Sequence, residues 1–238
     1  MKVRIKFRKY GVMKFIGHLD VMRYFQKAMR RANIPIAFTQ GFSPHMIMSF
    51  AQPLGVGITS DGEYLDIELT DAIASKDAIR QLNEVMVDGM EVVSFVKISD
   101  DRKASGMTIT AGADYKVYLL ESAKTSEIRL PVTEELKAKV EAFMAQEEIK
   151  VIKTTKKSEK EVDIKPMIYD LRVEKDHIYM FLATGSEQNL KPDLVMESIL
   201  QFAGYAEDTP VHYHRNDVYA RNGAGVLVPL DHMGYELK

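Results

Sequence analysis

The 238-residue chain contains no cysteine. That absence excludes disulfides, thiolate nucleophiles, thiolate zinc sites and cysteine-held iron–sulfur clusters together. It fits a cytoplasmic location, where thiols stay reduced and disulfides are rare. Nor is there a run of about 18 apolar residues, so no transmembrane helix and no membrane partner are expected. The basic stretch Met1 to Phe15 is not followed by an apolar run of signal-peptide length, so it does not read as a secretory leader. No cofactor is called for by any motif. With 46% hydrophobic and 28% charged residues the chain is too apolar to be disordered. Its length allows one large domain or two of ordinary size.

The net charge of −2 hides an asymmetry. Residues 1–50 hold ten Lys and Arg against one acid, Asp20, whereas residues 51–101 hold three basic residues and eleven acids. Such a basic block either meets a phosphate-bearing partner or neutralises the acidic block within one domain.

Val3, Ile5 and Phe7 alternate with Lys2, Arg4, Lys6 and Arg8, which is the period of a half-buried strand. Leu19, Met22, Phe25, Met29 and Ala32 recur at helical spacing from about Gly17 to Asn33, and Pro35 stops that helix. Strands follow at His45–Ala51, Glu63–Thr70 and Met90–Ile98, with turn chemistry at Pro53, Gly55, Gly57 and Asp61-Gly62. A helix from Ser75 to Asp88, with Ser75 as N-cap and Gly89 beyond its end, separates the last two. The order β-α-β-β-α-β over residues 1–98 predicts a ferredoxin-like unit, and 99–105 reads as a polar linker. A second such unit with an extra strand is expected over 106–238. Its strands are placed at Tyr115–Leu120, Ile149–Thr155, Val162–Val173, His177–Ala183 and Val211–Ala220. Its helices are placed at Thr133–Gln146 and Pro192–Ala203, and a charged turn at Lys153–Lys160. The expected fold class is α+β, with two tandem ferredoxin-like units.

If Val3, Ile5 and Phe7 face the helices, the basic ladder lies on the open sheet face beside Tyr64, Asp66 and Glu68. That arrangement predicts cross-strand charge pairing. A platform of the RNA-recognition type would need exposed aromatics there, and only Tyr64 and Phe95 qualify. On the first helix Arg23, Lys27, Arg30 and Arg31 share one arc opposite the apolar stripe, interrupted by Asp20. This arc is either a solvated helix face or a contact surface for a phosphate backbone.

The segments Gly17-His18-Leu19-Asp20, Arg30-Arg31-Ala32, Gly41-Phe42-Ser43-Pro44-His45, Pro53-Leu54-Gly55-Val56-Gly57 and Gly62-Glu63-Tyr64-Leu65-Asp66 stand in this order. With Glu161-Val162-Asp163-Ile164-Lys165-Pro166, they resemble the bacterial radical SAM-linked protein family, the domain of unknown function 2344. The resemblance covers nearly the whole chain. It implies a partner rather than a chemistry: a radical SAM enzyme encoded nearby, with an association to RNA metabolism. Without cysteines the chain is not itself that enzyme.

Chemistry-bearing residues are few. His18 opens the first helix on its sheet-facing side, as a buried packing residue or as a general acid or base near neutrality. Asp20 suits the helix dipole. Gly41-Phe42-Ser43-Pro44-His45 reads as a structural or ligand-binding loop rather than as a nucleophile–base pair of Ser43 and His45, since Gly41 permits unusual dihedrals and Pro44 stiffens it. His212 and His214 share a strand face, but no third ligand is spaced to complete a metal site. Arg215, Tyr219 and Arg221 line the last strand, where an arginine beside an aromatic either stacks on a base or packs at the core edge. Three functions follow. The first is an accessory protein binding or presenting tRNA or rRNA for a radical SAM enzyme. The second is a metal-independent endoribonuclease using His18 or His45. The third is a pseudouridine-synthase-like enzyme, for which Asp163 is the one carboxylate to test.

Overall fold

The computed structural model describes residues 1–122, 125–155, 158–206 and 208–238. In chain order, its first elements are β1 (Lys2–Lys9), α1 (His18–Arg31), β2 (Met48–Phe50), β3 (Thr59–Glu68), α2 (Ser75–Val85), β4 (Met90–Lys97) and the single turn α3 (Gly106–Ile109). Next come β5 (Thr110–Ser122), β6 (Thr125–Leu130), α4 (Glu134–Ala145), β7 (Lys150–Thr155), β8 (Ser158–Asp163), β9 (Ile168–Val173) and β10 (Ile178–Ala183). The chain closes with α5 (Pro192–Ala203), β11 (Val211–Arg221), β12 (Leu227–Pro229) and β13 (Tyr235–Glu236). The class is α+β. Two compact units divide the chain: Met1–Ala111 with Arg215–Lys238, and Gly112–His214.

This division differs from the expected 1–98, 99–105 and 106–238. The last 24 residues return to the first unit, where β12 pairs with β11 and β13 with β4. The expected linker 99–105 is packed structure. Asp101 Oδ1 accepts from Lys103 N–H at 2.9 Å and opens a 3-10 turn at Arg102–Ala104.

In the first unit β4, β1, β3 and β2 are neighbours in that order, and each pair is antiparallel. Register places Val3 opposite Ile67 and Ile5 opposite Leu65. These side chains form the core with Val21, Phe25 and Met29 of α1 and Ala78 and Leu82 of α2. Phe7, Phe25 and Phe50 meet edge-to-face at 4.7 to 6.1 Å between centroids, each pair worth about 0.5–1.5 kcal/mol beyond its buried area. The buried stripe of α1 is Val21, Phe25, Ala28 and Met29, whereas Leu19 is 60% exposed. Asn33, in the left-handed region at φ 52°, turns the chain out of α1 ahead of Pro35; a short polar side chain tolerates that conformation.

Two expected signals change meaning. Ser75 is the first residue of α2, with Ala74 at the cap, and its hydroxyl instead accepts from Leu237 N–H at 2.8 Å. Asp61-Gly62 is no turn but lies inside β3. A Cβ on Gly62 would stand 2.6 Å from Asp217 Oδ1 and 2.7 Å from the Asn216 carbonyl, so glycine is what lets β11 approach.

In the second unit β5, β10 and β9 are antiparallel neighbours, with Val117 opposite Ile178, Tyr115 opposite Met180 and Leu171 opposite Met180. Leu120 N–H donates to the carbonyl of Pro210, at the entry to β11. Thr133 Oγ1 accepts from Leu136 N–H and caps α4, and Pro192 opens α5, which ends at Gly204 with φ +80°. The buried residues Val117, Ile178, Met180 and Leu182 lie on one sheet face, with Val140 and Phe143 of α4 and Val195, Met196 and Ile199 of α5 completing the core. The strand expected over 162–173 is two strands, β8 and β9, parted by a 3-10 turn at Lys165–Met167 containing Pro166. β7 and β8 form a hairpin, and the tip of the charged turn expected at 153–160, residues 156 and 157, falls outside the described residues.

Candidate nucleic-acid interface

The middle of the basic ladder of β1, Arg4 and Lys6, is internal. Lys2, Arg4 and Lys6 stand opposite Glu68, Asp66 and Tyr64. Arg4 is fully buried: its Nε and one terminal nitrogen donate to the two oxygens of Asp66 at 2.7 and 2.9 Å. Its remaining N–H groups reach the carbonyls of Ala104 and Leu230, and Gly106 N–H completes Asp66 at 2.7 Å. The 3-10 turns at 102–104 and 230–233 therefore cap this part of the sheet face. Lys6 donates to Asp217 Oδ2 at 2.6 Å. The Tyr64 hydroxyl lies 2.6 Å from Asp217 Oδ1 and 2.9 Å from Asp231 Oδ1, and it has one proton to give to two carboxyl groups. Burial raises the Asp217 pKa against the opposing pull of Lys6, and burial also raises that of Tyr64. Arg215 forks onto Glu63 and also donates to the Gln52 carbonyl. Lys9, 2% exposed, donates to the Ile16 carbonyl, and desolvation lowers its pKa. Arg8 alone of this strand is exposed, beside Asp61 and Glu91.

Tyr64 and Phe95, the two aromatics considered for a stacking platform on this unit, are each 1% exposed. Phe95 belongs to the core. Neither presents a ring to solvent.

The arc on α1 has a different environment. Arg23, Lys27, Arg30 and Arg31 lie along it, and Arg23 and Arg31 are open to solvent in the pairs they make. Arg23 meets Asp20 at 3.2 Å, and Arg31 donates to the Val85 carbonyl at 3.0 Å. Among the described residues Lys27 and Arg30 have no acidic partner. Exposed pairs of the Arg23–Asp20 kind contribute about 0–1 kcal/mol, so they leave a cation available to a stronger anion.

The other sequence candidates separate in space and in environment. His18 is half-buried, its ring edge-to-face with Phe50 at 5.1 Å. Gly41, Phe42, Ser43, Pro44 and His45 form an exposed loop, with Gly41 at φ +113°. His45 Nδ1 lies 3.1 Å from Thr39 Oγ1 and near the Ser43 carbonyl, not its hydroxyl. Among the described residues no acid is hydrogen-bonded to either imidazole. Asp163 Oδ1 accepts from Ile149 and Lys165 N–H at 2.8 and 3.0 Å, and those two bonds hold its pKa below the ordinary carboxylate value. It is a turn-capping carboxylate. Arg221 donates to the Gly225 carbonyl within the turn that Asn222 Oδ1 organises through Ala224 and Val226 N–H. Among the described residues no group of three or more His, Asp or Glu is placed to hold a metal ion. None of their helices is long and apolar enough to cross a membrane.

The sequence profile described as "Uncharacterized protein conserved in bacteria (DUF2344)" matches residues 2–192. The chain belongs to this family. The match takes in β1 through the first residue of α5, and so includes the buried Arg4–Asp66 pair, the α1 arc and the Gly41–His45 loop of this DUF2344 protein. No curated protein matches it at a significant level. Among solved structures, a chain of a Cbf5-Nop10-Gar1 complex superposes over 91% of this chain with a TM-score of 0.43 and 12% identity. This chain spans 48% of that chain's length, and a likeness at that level bears on neither activity nor partners.

Much of the buried charge sits on residues that carry no local signal. Asp217 and Asp231 come from the far end of the chain, and nothing in their neighbouring sequence marks them as partners of Lys6 and Tyr64. Tyr179 and Phe181 are also absent from the sequence candidates, although their alternation within Ile178–Leu182 is a legible signal.

Proposed function

We propose that this DUF2344 protein is a non-catalytic, cytoplasmic accessory of a radical SAM enzyme, and that it binds or presents RNA for modification. The observation that carries the reading is the division of the basic block. The strand cations Arg4, Lys6 and Lys9 are bonded inside the first unit, so the positive charge of residues 1–50 that faces solvent is concentrated on α1 at Arg23, Lys27, Arg30 and Arg31. A row of cations along one helix face suits a phosphate backbone. The lack of cysteines agrees with an accessory role, since the cluster of a radical SAM enzyme needs them. The antiparallel order β4-β1-β3-β2 supports reading the first unit as ferredoxin-like. The order β5-β10-β9, with α4 and α5 following the first and third of its strands in the chain, supports the same reading for the second.

Binding of tRNA, rRNA fragments and duplex DNA across a salt series tests the proposal. Selective RNA binding is expected. The slope of log affinity against log salt should flatten in Lys27→Ala and Arg30→Ala, by about 0.7–0.9 for each phosphate no longer neutralised. Equal, weak binding of all three polymers would overturn it. Co-purification with the radical SAM enzyme encoded nearby tests the partner separately. The nuclease alternative would use His18 or His45 as its base, and their half-buried and loop environments do not favour it.

A further inference from the structure

We infer that the helix-free sheet face of the second unit is a base-stacking site for single-stranded RNA. The inference rests on the RNA-binding reading above and adds a second contact of different physics.

The face is set by register. Tyr179 stands opposite Lys116 and Arg172, and Phe181 opposite Asp114 and Asp170. Residues directly opposite each other share a face, and alternation along β5 puts Tyr118 with Lys116. Their neighbours Val117, Ile178, Met180 and Leu182 are the buried residues of the opposite face, with α4 and α5. Tyr118 of β5 and Tyr179 and Phe181 of β10 therefore project away from the helices, whereas Tyr115, opposite Met180, faces them.

The rings are already arranged for stacking. The Arg129 guanidinium lies 3.6 Å from the Tyr118 ring centroid, and the Arg172 guanidinium 3.9 Å from that of Tyr179. Phe181 meets Tyr169 edge-to-face at 5.4 Å, and its ring lies over Gly112, where a Cβ would come within 2.9 Å of it. Arg129, Arg172 and Tyr169 are exposed, Tyr179 and Phe181 are partly exposed, and Tyr118 is buried beneath Arg129, which alone presents that stack to solvent. A guanidinium lying on a tyrosine offers its outer plane to a nucleobase, a surface that unpaired RNA can use and duplex RNA cannot. The acids nearby are engaged: Asp170 and Glu174 with Arg172, Asp176 with His177, and Asp114 with the Tyr179 hydroxyl at 3.1 Å. With Arg172 and these acids paired to one another, this face gains its affinity mainly from stacking rather than from counterion release. It should therefore contribute binding that is nearly independent of salt, unlike the α1 arc.

The test uses the full chain, a labelled mixed-sequence RNA of about 10 nucleotides, and the same sequence as a duplex. Tyr179→Ala and Phe181→Ala should each weaken single-strand binding by roughly 5- to 100-fold. The salt slope should stay unchanged, Tyr179→Phe should retain affinity, and duplex binding should be unaffected. Ultraviolet crosslinking of wild-type protein to the same RNA should map to Tyr169, Tyr179 or Phe181; this arm needs no variant to fold. Single-strand binding that survives both alanine variants, with crosslinks confined to α1, overturns this inference and leaves the RNA-binding reading standing. If the wild-type chain binds neither RNA, both fail.

Discussion

Replacing Asp66 by alanine isolates the claim that the basic strand is internal structure. Arg4 has no exposed side-chain surface and Asp66 about a tenth. The substitution deletes two guanidinium hydrogen bonds at 2.7 and 2.9 Å and the acceptor for Gly106 N–H, while the Ala104 and Leu230 carbonyls remain. A buried cation stripped of its counter-charge costs about 3–5 kcal/mol. For a chain of this length that is a fall in Tm of roughly 6–20 °C. Restoring neutrality with Arg4→Met and Asp66→Leu together should recover part of the stability, because no bare charge is left buried. The remaining deficit comes from the Gly106 amide, which loses its acceptor, and from the Ala104 and Leu230 carbonyls, which lose Arg4 as donor, each group left unpaired costing about 1–3 kcal/mol. Urea unfolding of wild type, Arg4→Met, Asp66→Leu and the double variant closes a double-mutant cycle, and the expected coupling is about 2 kcal/mol or more. RNA affinity of the doubly substituted protein should equal that of wild type, because a buried pair touches no phosphate. Additive losses, or an Asp66→Ala cost below about 1 kcal/mol, would mean that Arg4 reaches water, and α1 would no longer stand apart as the cationic surface.

Further expectations concern single groups. Gly62→Ala should destabilise by about 1–3 kcal/mol, read as a shifted urea midpoint, because its Cβ would press on Asp217 and the Asn216 carbonyl. The folded-state pKa of Asp163 lies below its ordinary 3.8, so its stabilisation is complete above that value and is lost as pH falls through 3.8 towards the folded pKa. Asp163→Ala should accordingly flatten the acid limb of Tm against pH. Asp217 has the opposite sign: its pKa is raised, so the folded state holds the proton longer and stability declines as pH rises from 3.8 through the folded value. Asp217→Asn should remove that decline, and an unchanged profile would show that the carboxyl is not held in a dry environment. Thr133→Ala should cost about 1 kcal/mol by uncapping α4, measured by thermal unfolding.

Much of the backbone was legible from local pattern. The alternation of Val3, Ile5 and Phe7, the periodicity of Phe25 and Met29, and Pro192 ahead of an apolar run each report on a few residues in a row, and each corresponds to β1, α1 or α5. The errors have a common cause in partners distant along the chain. Asp61-Gly62 has turn composition, but β11 uses the missing Cβ for close approach. Ser75 has cap chemistry, but its hydroxyl is taken by Leu237. Leu19 keeps the helical period and is nonetheless exposed.

The sequence by itself determined the α+β class, membership of the DUF2344 family through its motifs, and the exclusion of cysteine chemistry. It also led to the expectation that the basic ladder of the first strand lies beside the acidic third strand if Val3, Ile5 and Phe7 face the helices. Only the tertiary structure decided that Arg4 and Lys6 are covered. The worth of a cation depends on what removes it from water, and Arg4 and Lys6 are closed off by residues near 104 and between 217 and 231, which no local pattern connects to the first strand.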